Sequence, residues 1–216
     1  MNDFTKYAIA HKGVSRSFYD SYSKATTQHI IDDSGKGIMV DVFSKMLEER
    51  VIFLCTELDS DVCNILKAQI LYLDQIDSTS DIKIYIDSPG GSVYSGLGLL
   101  DTMDFVSPDI VTVNTGLAAS MAAIVLASGT KGKRRSLRRS RTMIHQPLGF
   151  LGYAQASDFE IDSKQINELK KELYEILAEK TGQPFDKIQK DSDRDYWMNS
   201  KDCLEYGIID KIVKSK

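Results

Sequence analysis

Apolar and polar positions change their spacing several times along the chain, and these changes predict alternating strands and helices. Short apolar runs that predict buried strands lie at Val51–Cys55, Ile82–Ile86 and Ile110–Val113. After each run the apolar positions recur every three or four residues, which predicts a helix. Three successive strand–helix units favour a mainly parallel sheet with right-handed crossovers, and therefore the α/β class.

The same spacing places the helices. They are predicted near Val42–Leu47, from Asp59 or Ser60 to Leu73, over Ser92–Val106, over Met121–Ala127 and over Ser157–Thr181. The last of these carries more apolar side chains than a lone protruding helix leaves in water. It therefore predicts a contact with another subunit.

The first forty residues differ from the rest of the chain in composition and in the spacing of apolar residues. Residues 1–28 are rich in Ser, Thr, Tyr and Lys and contain no apolar stretch long enough for a signal peptide or a membrane span. This composition predicts a cytoplasmic protein. His29–Ile31 and Ile38–Val40 then flank a polar, glycine-containing turn, which predicts a hairpin or a flexible loop.

Composition and charge narrow the class of protein. The 216 residues, 42% hydrophobic and 27% charged, suit one soluble domain with a substantial core. A net charge of −4 gives no general attraction to nucleic acid or to anionic lipid. The three cysteines, Cys55, Cys63 and Cys203, lie within apolar patterns, which predicts reduced thiols.

A basic run at residues 129–141 carries seven positive charges but no aromatic side chain on which a base would stack. We therefore expect a solvated or intersubunit face there and no nucleic-acid site. The chain has no Walker-type glycine-rich lysine loop and no Cys/His metal spacing. ATP hydrolysis would accordingly have to come from another protein, and no metal or cofactor is expected in this chain.

Three residue contexts suggest hydrolytic chemistry. Ser120 lies among small residues at a strand-to-helix junction, where free backbone N–H groups and the helix dipole can hold an oxyanion, although a plain helix N-cap serine fits the same pattern. His145 ends a short apolar run, the place where a strand leaves for a cleft, although a structural histidine is common there. Asp195 precedes an aromatic pair expected to bury it beside an imidazole, although a solvated charged turn is the alternative.

Five sequence motifs, some of which contain these three residues, follow one another in a fixed order. They are SPGG at 88–91, GLAASMAA at 116–123, MIHQPLG at 143–149, DRDYW at 193–197 and EYGIID at 205–210. In order and spacing they resemble the motifs of the Clp protease proteolytic subunit family, over about Asp41 to Ile212. The resemblance implies a crotonase-like spiral of strand–helix units with a protruding handle helix.

The resemblance also implies roles for individual residues. Ser120 would be the nucleophile, His145 the general base and Asp195 the carboxylate that orients it. The backbone N–H groups of Gly91 and Met121 would form the oxyanion hole. The residues expected to bind the substrate through their backbone are Ser92, Val93, Leu148 and Gly149.

At the level of the assembly, the resemblance implies a serine endopeptidase of two stacked heptameric rings that receives unfolded protein from an AAA+ unfoldase. Residues 1–28 would be a propeptide or flexible extension, 29–40 a hairpin at the axial pore and 41–216 the peptidase domain. In the family the position of Arg135 is often aromatic and belongs to the hydrophobic site for the partner ATPase. Arg135 and Thr115 depart from that pattern, whereas Tyr85 fits it.

Two other functions fit parts of the sequence. Glycine-rich oxyanion loops also suit a crotonase-fold enzyme acting on acyl-CoA thioesters, and a non-catalytic partner in a mixed ring would share the fold. The joint presence of Ser120, His145 and Asp195 favours peptide hydrolysis over both.

Overall fold

The computed structural model describes residues 27–31, 37–149 and 155–213. Seven of the described strands form one sheet: β3 (Val51–Leu54), β4 (Ile82–Ser88), β5 (Ile110–Ala119), β6 (Arg134–Leu137), β7 (Arg141–Ile144), β8 (Tyr196–Asn199) and β9 (Lys211–Val213). The order β3-β4-β5-β6-β9 is parallel throughout. The predicted parallel strand–helix units are therefore confirmed.

Strand β5 is longer than its apolar run and pairs with two strands on the same side. Its first half lies beside β6, and its second half lies beside β7. Strand β7 then pairs with β8 in the antiparallel direction. The second half of β5, β7 and β8 therefore form a short branch of the sheet. The candidate catalytic residues lie at the end of that branch.

Five of the described helices follow the predicted spacing, and the last two were not predicted. In chain order the helices are α1 (Val42–Glu48), α2 (Ser60–Ile76), α3 (Val93–Phe105), α4 (Met121–Ala127), α5 (Ala156–Thr181), α6 (Phe185–Asp191) and α7 (Ser200–Tyr206). Asp59 caps α2 by accepting a hydrogen bond from the Val62 N–H at 2.8 Å. Gly182 ends α5 with a φ of 76°, a conformation that glycine adopts without steric cost.

Two further strands precede the domain core. β1 (Thr27–Ile31) and β2 (Gly37–Asp41) pair in the antiparallel direction with His29 opposite Met39, so the predicted hairpin forms. Its place at an axial pore stays a prediction. The expected propeptide or extension, residues 1–28, falls almost entirely outside the described residues.

Helix α4 is buried along its whole length, and this burial explains its composition of Met, Ala, Ile, Val and Leu. A helix that is apolar on every side belongs in a core. It packs with α3, α5 and strands β4, β5 and β7 within one hydrophobic cluster. The residue directly before α4, Ser120, is thereby fixed at the surface of a rigid unit.

The basic run does not form a uniformly solvated face, and that prediction is wrong at Arg134. Strand β6 alternates buried and exposed residues, so Arg134 points inward with 1% exposure while Arg135 points to solvent. The buried guanidinium is paired. Its Nη2 lies 2.7 Å from Asp210 Oδ1, and its Nη1 donates to the Lys180 carbonyl at 2.7 Å.

The long helix α5 divides into two parts. Leu169, Leu173 and Leu177 are buried within this same chain, so they account for part of the apolar excess from which a contact with another subunit was predicted. Phe159 and Ile161, near its N-terminal end, are exposed. Only this first part protrudes as a handle.

Candidate active site

Ser120 lies on a sharp turn between β5 and α4, with φ 54° and ψ −127°. Two hydrogen bonds hold its backbone: its N–H donates to the Met143 carbonyl at 2.8 Å, and its carbonyl accepts from the Ala123 N–H at 2.9 Å. Its side chain makes no helix-capping bond. Instead its Oγ lies 2.8 Å from Nε2 of His145, so a plain N-cap role does not describe this serine.

The strand register brings the histidine to the serine. Ala119 of β5 pairs with Met143 of β7, and His145 follows directly after β7 ends at Ile144. The His145 side chain is only 14% exposed. Its second ring nitrogen, Nδ1, lies 3.2 Å from Asp195 Oδ1.

Asp195 comes from the third strand of this branch. It directly precedes β8, in which Tyr196 pairs with Ile144 of β7. The three residues thus lie in a row, each one step beyond the paired part of its strand. Geometry of this kind, with a hydroxyl beside one imidazole nitrogen and a carboxylate beside the other, is that of a hydrolytic triad.

The predicted burial of Asp195 is wrong for this chain. Its side chain is 60% exposed, and the aromatic pair leaves it open because Trp197 is itself 55% exposed. The ring of Tyr196 packs instead against Tyr206, with centroids 5.8 Å apart. Among the described strands β8 pairs only with β7, so none of them lies on its outer side to cover the carboxylate.

The turn after β4 approaches Ser120 so closely that only glycine fits. Gly90 has a φ of 94°, and a Cβ placed on it would lie 2.7 Å from the Ser120 Cβ. Gly91, with a φ of 145°, lies against the backbone of Leu58, and the Ser92 N–H donates to the Leu58 carbonyl at 2.7 Å. These contacts fix Gly91 on a rigid turn whose preceding residue, Gly90, packs against the serine.

A cavity of about 730 Å³ opens beside Ser120 and His145. Gly91 and the four residues expected to bind substrate lie along it: Ser92, Val93, Leu148 and Gly149. Met121 does not line it, because its side chain is buried against Gly96. Its N–H nevertheless belongs to the first residue of α4, where helix geometry supplies no acceptor.

The sequence did not single out several side chains of the cavity wall. They are Glu57, Pro89, Tyr94, Met143, Pro147, Asp162, Gln165, Ile166 and Leu169. Three of these, Pro89, Met143 and Pro147, belong to the motifs around Gly91 and His145, so motif position was the available signal. Residues such as Glu57 and Asp162 reach the wall only through the packing of loop and helix, which local spacing does not encode.

The cysteines are unsuited to nucleophilic chemistry. Burial raises the pKa of Cys63 and of Cys203 to about 11. Cys55 is exposed and lies one residue beyond β3, so the prediction that the buried strand extends to Cys55 is wrong. Desolvation and then the charge of Asp87 still raise the pKa of its thiol. All three thiols are free.

Metal ligands and membrane spans were also sought over the described ranges. No group of three or more His, Cys, Asp or Glu side chains there is arranged to hold a metal ion. Nor does any helix in those ranges combine the length and apolarity needed to cross a membrane.

Comparison with known proteins places this chain in a family. The Clp protease family model matches residues 34–216. Over the whole of both chains, the sequence is 48% identical to the ATP-dependent Clp protease proteolytic subunit of Bacteroides fragilis strain YCH46. It is 48% identical to the protein of the same name from Porphyromonas gingivalis, over 99% of this chain and 98% of that one. It is 50% identical to the ATP-dependent Clp protease proteolytic subunit 2 of Parasynechococcus marenigrum, over 87% of this chain and 95% of that one. The chain, with its α/β fold and its serine, histidine and aspartate in a row, belongs to the Clp protease family.

Proposed function

We propose that this protease is a serine endopeptidase in which Ser120, His145 and Asp195 act as nucleophile, general base and orienting carboxylate. The observation that carries the proposal is the 2.8 Å approach of Ser120 Oγ to His145 Nε2, with Asp195 Oδ1 3.2 Å from the opposite nitrogen. Membership in the Clp protease family supplies the protease activity. The side-chain geometry supports the serine mechanism.

The roles follow from the placement of protons. A carboxylate accepts only, so Asp195 fixes the imidazole tautomer with its proton on Nδ1 and leaves the lone pair of Nε2 facing Ser120. His145 then takes the hydroxyl proton as Oγ attacks the scissile carbonyl, and returns it to the departing amine. A water molecule hydrolyses the acyl-enzyme through the same histidine.

The backbone around the serine is suited to hold the oxyanion. The Met121 N–H starts a buried helix, and the Gly91 N–H is fixed on the turn against Leu58. Both are donors held by packed structure, which is the condition for stabilising charge that develops only in the transition state.

The substrate is an unfolded polypeptide. The residues expected to bind it by their backbone lie on two separate segments that face the same cavity, 92–93 and 148–149. Main-chain pairing with an extended peptide gives affinity that depends little on the substrate's sequence. A folded protein does not offer an extended backbone to such a cleft.

The assembly we propose is two stacked heptameric rings that work with an AAA+ unfoldase. The relatives are named as ATP-dependent, whereas this chain has no Walker-type loop, so a separate protein supplies ATP hydrolysis. The exposed Phe159 and Ile161 on the handle need a cover that a second subunit provides. For the unfoldase, Tyr85 meets Phe53 edge to face with ring centroids 5.6 Å apart, and the exposed Arg135 lies two strands away in the same sheet, with Val113 between it and Tyr85.

The serine mechanism is tested by covalent labelling. A fluorophosphonate probe should label the purified protein at Ser120, and Ser120→Ala should abolish both labelling and hydrolysis of short peptides. The expected loss of turnover is roughly 10⁴-fold or more, because only the oxyanion site and binding remain. A Ser120→Ala protein with near-native turnover contradicts the mechanism, and stabilisation by CoA without labelling favours a thioester enzyme.

The assembly is tested by mass in solution and by the folded state of the substrate. Two heptameric rings of this 24.2 kDa chain should cleave short peptides alone and folded protein only with an unfoldase and ATP. A monomer that digests folded protein without ATP contradicts the proposal. Ring assemblies that form only with a second, active subunit, and in which this chain stays unlabelled, indicate the non-catalytic partner.

A further inference from the structure

The residue after the candidate base, Gln146, has a side-chain amide that is hydrogen-bonded at both ends. Its Nε2 donates to the Asp193 carbonyl at 2.7 Å. Its Oε1 accepts from the Lys170 ammonium at 2.9 Å. The amide therefore joins three separate segments: the one that carries His145, the one that carries Asp195, and helix α5.

Helix α5 holds the Asp195 segment at a second point. Tyr174, one turn after Lys170, is buried, and its hydroxyl donates to the Ser192 carbonyl at 3.4 Å. The Lys170 ammonium also lies 5.8 Å from the centre of the Tyr174 ring. Two consecutive carbonyls before Asp195 are thus held from one face of α5: that of Ser192 by Tyr174 directly, and that of Asp193 by Lys170 through the Gln146 amide.

These bonds matter because little else fixes Asp195. Among the described contacts its carboxylate touches only His145, and it is 60% exposed. The β7–β8 ladder ends at the pair Ile144 and Tyr196, so beyond that pair no backbone rung joins the two segments. The Gln146 amide takes the place of the next rung.

On this geometry we propose that Gln146 and Lys170 are positioning residues, which keep the Asp195 segment in register with His145 and so hold the imidazole in its productive orientation. The inference rests on the proposed serine mechanism. Neither residue lines the cavity, so neither is expected to contact substrate. Their removal should lower kcat and leave KM nearly unchanged.

The first variants remove or change one bond at a time. Gln146→Ala breaks both bonds, and Gln146→Glu keeps an acceptor for Lys170 but has no donor for the Asp193 carbonyl. Both should lose on the order of 10- to 100-fold in kcat, the loss expected from a misplacement of about 1 Å. Lys170→Met should lose less, because the bond to the Asp193 carbonyl remains, and Lys170→Arg should recover most of that loss.

Two matched variants control for surface effects. Lys171→Met removes an exposed lysine one position along α5 that pairs only with Glu175. Gln189→Ala removes an exposed glutamine on α6. Both should retain wild-type kcat. The double variant Gln146→Ala with Lys170→Met should be no slower than Gln146→Ala alone, because the two residues act through one connection.

Steady-state kinetics on a short peptide, thermal melting and mass in solution decide the matter for the full-length assembly. A kcat within twofold of wild type for Gln146→Ala, or a rise in KM alone, overturns the inference. A loss of kcat of similar size in Lys171→Met and Gln189→Ala also overturns the inference. If the wild-type protein hydrolyses peptide but a fluorophosphonate does not label Ser120, the proposed mechanism fails first, and that outcome is read independently of the variants.

Discussion

Ser120 has an unfavourable backbone conformation, and this conformation directs its side chain toward His145. A φ of 54° with a ψ of −127° is rare outside glycine, and such conformations cost on the order of 1–3 kcal/mol. The surrounding bonds to Met143 and Ala123 keep it in place. A serine held in this way points its Oγ away from the helix cap and toward His145.

The strain predicts opposite effects of glycine on activity and on stability. Ser120→Gly and Ser120→Ala should both be inactive, yet Ser120→Gly should be the more stable by about 1 kcal/mol, because glycine tolerates this φ. Thermal or denaturant unfolding measures the difference. At Ser128, which caps the same helix at a φ of −84°, the order should reverse, with glycine the less stable. Equal stability of the two Ser120 variants contradicts the strain.

Asp195 offers a second test at the scale of one residue. Asp195→Asn keeps the size of the side chain but no longer favours the imidazole tautomer that leaves Nε2 free, so kcat should fall by roughly 10⁴-fold. Because the carboxylate is exposed, the melting temperature should stay close to wild type. Asp186→Asn, on an exposed position of α6, should leave kcat unchanged. A modest loss at Asp195 would show that another group orients His145.

Among the structural elements, the turn between β4 and α3 has a strict steric requirement at both of its glycines. Gly91→Ala should lower turnover at least 10-fold. The alanine Cβ would meet the Leu58 backbone and so displace the N–H of residue 91, the proposed oxyanion donor. Gly182→Ala is the matched change: its φ of 76° gives similar strain, but a Cβ there meets nothing within 4 Å. Peptide hydrolysis and melting should show that both lose stability and that only Gly91→Ala loses activity.

The order of elements was predictable because strands and helices differ in the spacing of apolar residues, as in β3, α2 and β4. The pairing of β5 with both β6 and β7 was not, since it joins residues far apart in sequence and depends on where each strand stops. The short helices α6 and α7 lack a long enough period to be recognised. Motif order located Ser120, His145 and Asp195, whereas their distances required the fold.

Across the whole molecule, the buried pair of Arg134 and Asp210 joins the sheet to the ends of α4 and α5. Local charge density suggested a solvated run, because sequence alone does not show that Asp210 faces Arg134. Burial raises the pKa of Asp210, but hydrogen bonds and charge from Arg134 outweigh that effect and hold the pKa below its ordinary value. The pair therefore stabilises the fold at neutral pH.

Because the pKa of Asp210 is lowered in the folded protein, the free energy of unfolding should depend on pH. A carboxylate whose pKa is lower in the folded state contributes its full stability above about pH 4 and loses it as the pH falls further. Asp210→Asn should be destabilised at pH 7 by about 3–5 kcal/mol, because Arg134 is left buried and unpaired. Its deficit relative to wild type should shrink below pH 4. Asp81→Asn, which breaks a partly exposed pair with Lys133, should change stability little at either pH. Denaturant unfolding at both pH values provides the comparison.

The antiparallel pairing of β7 with β8 has a consequence for the chain during its synthesis. Asp195 leaves the ribosome fifty residues after His145, and at ordinary rates of translation this interval lasts roughly 3–10 s. During that time a nascent chain already contains the serine and the histidine but has no carboxylate to orient them. On the proposed mechanism, peptide cleavage therefore needs a residue that is made fifty positions after His145, and the order of synthesis delays activity until that residue has been added.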